Sequence, residues 1–495
     1  MKPKRWKTYL TGRIAAVGFL LVLQLAVILT ASVKFAALYP LYRILSVILS
    51  CILILHVIRH TSGEAFRTAW AVLILLFPLT GAAVYLIFSG SCLSEDARER
   101  MRRAEEYHRI TDAEAGAESG RAARYLIQQT GFPPCTPEEC RYFPSGEEYY
   151  EVLLRELAAA EKSVWIETFI LSSGEMWDGV FRILREKAAS GTDVRVIYDD
   201  LGSMGKMPRK FASEMKRAGI RCAAFHRFLP VLSPVQNNRD HRKICVIDGR
   251  TAFTGGINIG DEYIGRTRPF GHWKDSGVMI RGDGAACFSV MFLTMWDYIT
   301  GEMSENFPAV TEKGEKTGTV QPYCSGPQEE EPTAENVYLD LIAGAQKSVW
   351  IMTPYLIPDE AVKRCLIRAA QSGVDVRIIT PGIPDKKLVY EATRAHYPPL
   401  LRGGVRIREY TPGFLHAKTV LADEKTAVIG SVNLDYRSFF LHFECGVRIT
   451  DPEIVAAVKR DFLRTFEVSR EIREEKTGIL RRGFRAVLEL IAPLL

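Results

Sequence analysis

The chain has 495 residues, which is too long for a single compact core, so at least two structural units are expected. Hydrophobic residues make up 47% of the chain and charged residues 25%, a globular composition that excludes a largely disordered protein. The net charge of +6 suits a protein that works beside anionic phosphates or lipid headgroups, but a charge this small does not select a partner by itself.

The N-terminal region, residues 1–92, has the pattern of a membrane anchor. Residues 14–33 carry no charge and are long enough to cross a bilayer, and more apolar sequence follows them, which argues against a cleaved signal peptide. Residues 69–88 form a second apolar segment, with Pro78 and Gly81 inside it. Residues 41–58 are apolar but short. The sequence therefore predicts two or three membrane helices.

The basic residues on both flanks of this region bear on its orientation. Lysines and arginines precede the first apolar segment, and four arginines follow the last one, between residues 98 and 103. The positive-inside rule places both flanks in the cytoplasm, which an even number of crossings satisfies and three crossings do not. We expect a multi-pass membrane protein in which the chain that follows the anchor faces the cytoplasm.

The ten cysteines follow no paired spacing that would suggest a metal site. Cys135 and Cys140 form a CxxxxC pair without a matching second pair, which argues against a four-cysteine zinc site. We interpret the cysteines as mostly free thiols in a reducing compartment. Residues 93–140, which follow the anchor, are charged and helix-prone, and they are predicted to be a juxtamembrane helical linker.

The rest of the chain contains the same pattern twice. The segment KSVWIETF at Lys162–Phe169 returns as KSVWIMTP at Lys347–Pro354, and SGTDVRVI at Ser190–Ile197 returns as SGVDVRII at Ser372–Ile379. In each copy a β-branched run precedes an amphipathic helical pattern and a second β-rich run, which is typical of an α/β unit. The repeat predicts two related domains, residues 141–320 and 321–495, and the second ends in an amphipathic helix.

The duplication extends to a set of polar residues. A histidine, a lysine two positions later, an aspartate, and an asparagine recur with identical spacing, and a Gly-Gly pair in the first copy becomes Gly-Ser in the second. The matched positions are His241, Lys243, Asp248, Gly256 and Asn258 in the first copy, and His416, Lys418, Asp423, Ser431 and Asn433 in the second. One HxK pair alone would most often be structural. Two copies matched at several positions favour a functional site instead.

The residue types and spacing favour chemistry at a phosphoryl centre. Residues i and i+2 of a strand face the same way, so histidine and lysine point together into one pocket. Lysine can hold a phosphate, neutral imidazole can attack phosphorus, and a second histidine can serve as acid and base. The glycines would let the backbone approach an anion, and the asparagine amides could donate to phosphate oxygens. The aspartates fall in turns, where they either orient these groups or are plain turn residues.

The repeated HxKxxxxD motif resembles that of the phospholipase D superfamily. The segments YDDLGS, HWKDSGV, SGPQ, GFLHAKT and NLDYRSFFLHFE make residues 14–495 similar to bacterial cardiolipin synthases. The resemblance implies two mixed-sheet α/β halves that share one active site behind an N-terminal helical membrane anchor. It implies a phosphatidyltransferase that joins two phosphatidylglycerol molecules into cardiolipin and glycerol through a phosphatidyl-histidine, without metal or cofactor.

The resemblance also implies roles for the matched residues. His241 and His416 act as nucleophile and acid/base, Lys243 and Lys418 hold the phosphate, and Asp248 and Asp423 complete the motifs. Asn258, Asn433, Gly256 and Ser431 are expected to bind the substrate phosphate. We favour His241 as the nucleophile, although the near-symmetry leaves the order open.

Two alternatives share the catalytic residues. A membrane-bound phospholipase D would use water and release phosphatidic acid, and a nucleic-acid phosphodiesterase would cut DNA or RNA. The second would favour a basic stripe with interleaved aromatic residues, which is not evident, so nucleic acid is not an expected partner. The expected partners are phosphatidylglycerol and anionic membrane lipid, and a homo-oligomer is left open. Asp435 and Glu444 lie near the second motif as candidate supporting charges.

Overall fold

The computed structural model of the chain describes residues 19, 22–28, 30, 39–61, 63–88, 94–110, 120–208, 210–227, 237–305, 318–329, 331–473 and 478–494. The chain forms two compact units. The smaller comprises residues 1–92, 228–238 and 486–495, and the larger comprises residues 93–227 and 239–485.

Within the described residues, the smaller unit includes the apolar helices α1 (Tyr39–His60), α2 (Glu64–Leu76) and α3 (Pro78–Phe88). Among the described residues, only α1 is long and apolar enough to cross a membrane, judged by length and composition. It covers the predicted middle segment, 41–58. Of the predicted segment 14–33, residues 22–28 are helical and most of the others lie outside the described residues.

The predicted segment 69–88 is not one continuous helix. The structure interrupts it at Phe77, between α2 and α3, because Pro78 has no N–H to continue the helical ladder. Gly81 lies against the carbonyl of Leu73, and a Cβ at this position would come within 2.4 Å of that oxygen. Trp70 and Tyr85 pack edge to face with ring centroids 5.4 Å apart, which holds α2 against α3.

The larger unit consists of two halves, whose strands have the following bounds. In the first half they are β1 (Glu139–Phe143), β2 (Ser163–Thr168), β3 (Asp193–Asp199), β4 (Arg221–Phe225), β5 (Arg239–Asp240), β6 (Lys243–Ile247), β7 (Thr251–Gly255), β8 (His272–Lys274) and β9 (Gly277–Arg281). In the second half they are β10 (Val320–Ser325), β11 (Ser348–Met352), β12 (Leu356–Ile357), β13 (Asp375–Pro381), β14 (Arg406–Tyr410), β15 (Gly413–Leu415), β16 (Thr419–Ala422), β17 (Thr426–Gly430), β18 (Leu434–Asp435), β19 (His442–Ile449) and β20 (Ser469–Ile472).

These strands form a seven-stranded sheet and a nine-stranded sheet that follow the same plan. The first sheet has the order β1-β9-β7-β6-β2-β3-β4, and the second has the order β10-β19-β17-β16-β11-β13-β14-β20, with β5 paired to β19. In both, the strands that carry the KSVWI segments, β2 and β11, lie parallel to one neighbour and antiparallel to the other. The predicted duplicated mixed-sheet α/β fold is therefore confirmed.

The helices cover the faces of both sheets. They are α4 (Glu95–His108), α5 (Arg121–Thr130), α6 (Gly146–Ala159), α7 (Glu175–Ala189), α8 (Phe211–Arg217), α9 (Asp283–Thr300), α10 (Thr333–Gly344), α11 (Glu360–Gln371), α12 (Lys387–Ala395), α13 (Tyr397–Arg402), α14 (Tyr436–Phe440), α15 (Pro452–Glu467) and α16 (Ile479–Ile491), followed by a 3-10 turn at Ala492–Leu494. Side-chain caps at Ser145 and Asp359 accept backbone N–H groups at the starts of α6 and α11.

One hydrophobic cluster joins the two halves. Trp165 of β2 stacks on Phe292 of α9 at 5.5 Å, and Trp350 of β11 packs on Phe466 of α15 at 5.3 Å. Both tryptophans belong to the same cluster of buried residues. Helices α9 and α15 therefore fill the space between the sheets, and this packing fixes the distance between the two repeated motifs.

The segment 93–140 is more integrated than a solvated linker. Helix α4 buries Ala97 and Met101 in the shared core, and His108 Nε2 at its end donates to the Asp297 carboxylate of α9 at 2.7 Å. Strand β1 also begins inside this segment, at Glu139, and forms an edge of the first sheet. The described cysteines are free thiols.

Candidate active site

The two histidine–lysine pairs lie at equivalent places in the two sheets. Lys243 is the first residue of β6, Lys418 directly precedes β16, and each histidine lies two residues before its lysine. All four side chains are buried. The Nζ atoms of Lys243 and Lys418 donate to the carbonyls of His241 and His416, respectively. The structure therefore brings together the four residues that the sequence singled out most strongly.

Each histidine is positioned by a strand of the opposite half. Strand β5, just before His241, pairs with β19 of the second half, and the His241 N–H donates to the Phe443 carbonyl at 2.9 Å. Strand β15, just before His416, pairs with β8 of the first half, and the His416 N–H donates to the Lys274 carbonyl at 2.6 Å. This reciprocal pairing fixes the register of both histidines.

The reciprocal strand pairing also places a carboxylate of the opposite half next to each imidazole. His241 Nδ1 lies 2.9 and 3.1 Å from the two carboxylate oxygens of Glu444, in the second half. His416 Nδ1 lies 2.7 Å from Asp275 Oδ2, in the first half. Both carboxylates are fully buried. Because each Nδ1 faces an acceptor, it carries the proton, and Nε2 is left as the nitrogen that can react.

The sequence contained a signal for these carboxylates. Asp275 and Glu444 begin the matched segments DSGV and ECGV, so they occupy the same position in the repeat. The sequence indicates Glu444 as a candidate supporting charge and assigns no role to Asp275. That each carboxylate serves the histidine of the other half could not be read from spacing along the chain.

Burial and neighbouring charges set the protonation of the pocket. Burial lowers the pKa of His241 well below its usual range, and the positive charges of Lys243 and Lys418 lower it further. Burial and then Lys418 lower the pKa of His416 to about 4, although Asp275 acts to raise it. Both imidazoles are therefore neutral at pH 7 before a substrate anion is present.

The lysines respond to the same environment. Burial lowers the pKa of Lys243 to about 8 and that of Lys418 to about 7. Burial alone would raise the pKa of Asp275, but the neighbouring His416 and Lys418 bring it below its ordinary value. The negative charge of a bound phosphodiester would raise the pKa of both lysines and favour their charged form. The pocket is therefore suited to an anionic ligand.

Gly256 and Ser431 lie against the two carboxylates, and their predicted contact with substrate phosphate stays a prediction. A Cβ at Gly256 would lie 2.1 Å from Asp275 Oδ1, so glycine leaves the room that this carboxylate occupies. At the equivalent position the Ser431 hydroxyl donates to Glu444 and accepts the Cys445 N–H at 3.0 Å. Both residues therefore contact a carboxylate that in turn contacts a histidine.

The two asparagines differ in their surroundings. Asn258 is held within the protein, because its Nδ2 donates to the Tyr263 hydroxyl at 2.7 Å and its Oδ1 accepts the Ile170 N–H at 3.0 Å. The backbone N–H of Asn433 donates to the Ser438 hydroxyl at 3.1 Å, while its buried Oδ1 has no hydrogen-bond partner among the described residues. A phosphate contact from either amide stays a prediction.

The two aspartates of the motifs lie at the far end of the strands, where their contacts favour the second of the two alternatives, a turn residue. A catalytic role for them stays a prediction. Five residues of extended chain separate Lys243 from Asp248, about 16 Å. The Asp248 carboxylate accepts three backbone N–H groups, from residues 161 to 163, at 2.6 to 2.9 Å. Asp423 accepts the equivalent three, from residues 346 to 348. Both have positive φ, near 54° and 53°, and anchor a turn to the start of a neighbouring strand.

One cluster in the described part of the chain has the composition of a metal site: His241, His442 and Glu444, whose ligand atoms lie within 4.8 Å of one another. Its contacts favour a hydrogen-bond network instead. Arg437 Nε donates to His442 Nε2 at 3.2 Å, which places the remaining ring proton on Nδ1, facing Glu444 Oε1 at 3.8 Å. Glu444 already accepts from His241 and Ser431.

Aromatic rings enclose the polar atoms. Phe169 lies 5.0 Å from the His241 ring, and Tyr263, Trp273 and Phe414 lie 5.5, 5.4 and 5.9 Å from the His416 ring. These walls exclude water and strengthen the electrostatic interactions inside. In such a pocket one neutral imidazole can attack a phosphodiester through its free Nε2, and the other, once it takes up a proton beside the bound anion, can protonate the leaving oxygen. The two lysines can stabilise the developing charge.

Comparison with known protein families agrees with this chemistry. A family described as cardiolipin synthase, phospholipase D-like domain, matches residues 153–271 and 338–466, one match in each half. A family described as phospholipase D-nuclease N-terminal matches residues 48–90, within the smaller unit.

Individual relatives extend the similarity over nearly the whole chain. A cardiolipin synthase of Geobacillus kaustophilus is 34% identical over 479 residues, covering 92% of this chain and 94% of the relative. Cardiolipin synthase 2 of Bacillus anthracis is 34% identical over 480 residues, covering 92% and 91%. Among solved structures, the phosphatidylserine synthase of Haemophilus influenzae superposes with a TM-score of 0.59 at 17% identity, covering 77% of this chain and all of that one, which shows a shared fold.

Proposed function

Since the chain belongs to the family of cardiolipin synthases with phospholipase D-like domains, we propose that its two buried histidines carry out phosphatidyl transfer between two phosphatidylglycerol molecules. The protein is a phosphatidyltransferase of the cardiolipin synthase type. The observation that carries the proposed mechanism is the reciprocal pairing of His241 with Glu444 and of His416 with Asp275.

The first half-reaction cleaves the bond between phosphorus and the glycerol headgroup. Binding of the anionic phosphodiester lets His416 take up a proton at Nε2, while its Nδ1–H faces Asp275. His241 Nε2 attacks the phosphorus of the first phosphatidylglycerol, and the protonated His416 delivers this proton from its Nε2 to the departing glycerol oxygen. Lys243 and Lys418 balance the charge on the phosphate oxygens. The phosphatidyl group is then bound to His241 Nε2, and Glu444 stabilises the positive ring.

The second half-reaction reverses these roles. A glycerol hydroxyl of the second phosphatidylglycerol gives its proton to His416 Nε2, its oxygen attacks phosphorus, and the bond to His241 Nε2 breaks. The products are cardiolipin and the glycerol released in the first step. One phosphodiester replaces another, so the exchange is reversible and requires no nucleotide.

Two contacts support His241 as the nucleophile. Both oxygens of Glu444 contact His241 Nδ1, at 2.9 and 3.1 Å, so this carboxylate is placed to stabilise the positive ring of a phosphatidyl-histidine. Asp275 lies closer to its histidine, at 2.7 Å, and therefore favours the protonated form of His416 that an acid/base needs.

A substrate that needs no proton for its leaving group tests this assignment. With phosphatidyl-p-nitrophenol, His416→Ala should still release a burst of nitrophenolate and trap a phosphatidyl-enzyme, whereas His241→Ala should do neither. A burst from His241→Ala but not from His416→Ala would reverse the roles. With phosphatidylglycerol, both variants should lose turnover.

The product distinguishes synthesis from hydrolysis. Purified protein supplied with phosphatidylglycerol alone should release cardiolipin and glycerol, read by thin-layer chromatography and mass spectrometry. Phosphatidic acid as the only lipid product would identify a hydrolase instead.

The enzyme is membrane-associated, and we propose a multi-pass anchor in residues 1–92 with the catalytic domains, residues 141–320 and 321–495, facing the cytoplasm. Helix α1 and the N-terminal family match over residues 48–90 support the anchor. A homo-oligomer stays a prediction.

A further inference from the structure

Helix α16 (Ile479–Ile491) attaches to the second half through its charged face. Arg481 and Arg485, one turn apart, both donate to the carboxylate of Glu391 on α12, Arg485 Nε at 2.9 Å. Arg485 is only 9% exposed. These ion pairs turn the arginine side of the helix towards the protein.

The same turns carry exposed apolar side chains. Ile479 is 77% exposed, Leu480 is 88% exposed and Phe484 is 47% exposed. A surface helix of a water-soluble protein normally buries its apolar residues. The start of α16 leaves them open, next to the exposed Arg481 and Arg482, so this surface is suited to the boundary between lipid headgroups and acyl chains.

The neighbouring helix α12 (Lys387–Ala395) adds to this surface. Ile383, just before it, is 41% exposed and Leu388, in its first turn, is 47% exposed. Lys386 and Lys387 lie between them and are exposed as well. Apolar side chains rimmed by cations match the two layers of an anionic lipid surface, the acyl region and the headgroups.

This surface adjoins the catalytic pocket through a short series of aromatic rings. Lys386 Nζ lies 5.6 Å from the ring of Tyr355, Tyr355 lies 6.5 Å from Phe414, and Phe414 lies 5.9 Å from His416. A lipid held at the surface by Lys386 would therefore have its phosphate close to an aromatic-lined route to His416.

We propose that the start of α16, together with residues 383–388, forms a membrane-docking surface that inserts into an anionic leaflet and delivers phosphatidylglycerol to the pocket. The proposal rests on the proposed function, since it is the lipid substrate that gives this surface its purpose. The lipid is favoured over a protein partner because cations surround the apolar side chains.

The experiment compares one enzyme on two forms of substrate. Full-length protein is assayed in proteoliposomes of phosphatidylcholine containing long-chain phosphatidylglycerol, and separately with monomeric dihexanoyl-phosphatidylglycerol. The double variant Leu480→Glu, Phe484→Glu should lower the ratio of the first rate to the second at least tenfold. Leu463→Glu, which changes a residue of α15 that is 42% exposed, should leave the ratio within twofold and serves as the matched control. A double variant with an unchanged ratio would overturn the docking surface.

A second readout does not depend on turnover. Phosphatidylglycerol with a photoactivatable acyl chain should cross-link to residues 479–485 in the wild type, and the double variant should lose this product. Absence of cross-links in the wild type would refute docking even if cardiolipin is made. Cross-links without any cardiolipin would instead support docking and contradict the proposed function.

Discussion

Replacing Glu444 by glutamine removes the charge that supports His241 while it keeps the shape of the side chain. Both carboxylate oxygens contact His241 Nδ1, at 2.9 and 3.1 Å, and the carboxylate is fully buried. A hydrogen bond to a charged group contributes about 2 to 3 kcal/mol in such a setting. When His241 carries the phosphatidyl group, its ring is positive, so this contribution stabilises the intermediate and the transition states that flank it. We therefore expect turnover to fall about 30- to 150-fold.

The assay is the initial rate of cardiolipin formation by purified Glu444→Gln in detergent micelles, with a fixed excess of phosphatidylglycerol. Asp275→Asn, which alters the equivalent contact of His416, should fall into the same range. Asp297→Asn is the matched control, because Asp297 also forms a buried pair with a histidine, His108, at 2.7 Å, but contacts neither His241 nor His416. It should reduce stability and leave the rate per folded molecule unchanged. A rate for Glu444→Gln within twofold of the wild type would refute the reasoning.

Three further predictions concern single side chains. The pKa of Lys418 is lowered to about 7, so its charge is lost as the pH rises through that value, and kcat/KM for dihexanoyl-phosphatidylglycerol should fall on the alkaline side. In Lys418→Arg the side chain stays charged, so the pH range of full kcat/KM should extend upward by at least about one pH unit. A variant whose kcat/KM falls at the same alkaline pH as the wild type would contradict this. Asp248→Asn should lower the free energy of unfolding by about 1 to 2 kcal/mol, measured by thermal denaturation, and should leave kcat within twofold of the wild type. A large loss of kcat would show that Asp248 takes part in the reaction. Ser431→Ala removes one hydrogen-bond donor to Glu444 and should slow turnover about fivefold, which corresponds to a loss of about 1 kcal/mol. An unaffected rate would show that this hydrogen bond does not position the carboxylate.

The sequence by itself determined the fold class and predicted the reactive histidines and lysines. The repeated KSVWI strands and the repeated HxK spacing sufficed because strand periodicity is local: residues two apart must share a face, whatever the rest of the chain does. The apolar segments of residues 1–92 could also be predicted from the sequence. The helix break at Phe77 could not, because a proline inside an apolar segment can either be tolerated or end a helix.

The tertiary structure decided which groups support the histidines. Asp248 and Asp423 are close to the catalytic residues along the chain, yet a strand carries them about 16 Å away, where backbone N–H groups bind them. Glu444 lies 203 residues from His241 and Asp275 lies 141 from His416, and each reaches its histidine only because β5 pairs with β19 and β15 pairs with β8. Such contacts depend on how two sheets pack through α9 and α15, and no spacing within either repeat encodes that packing.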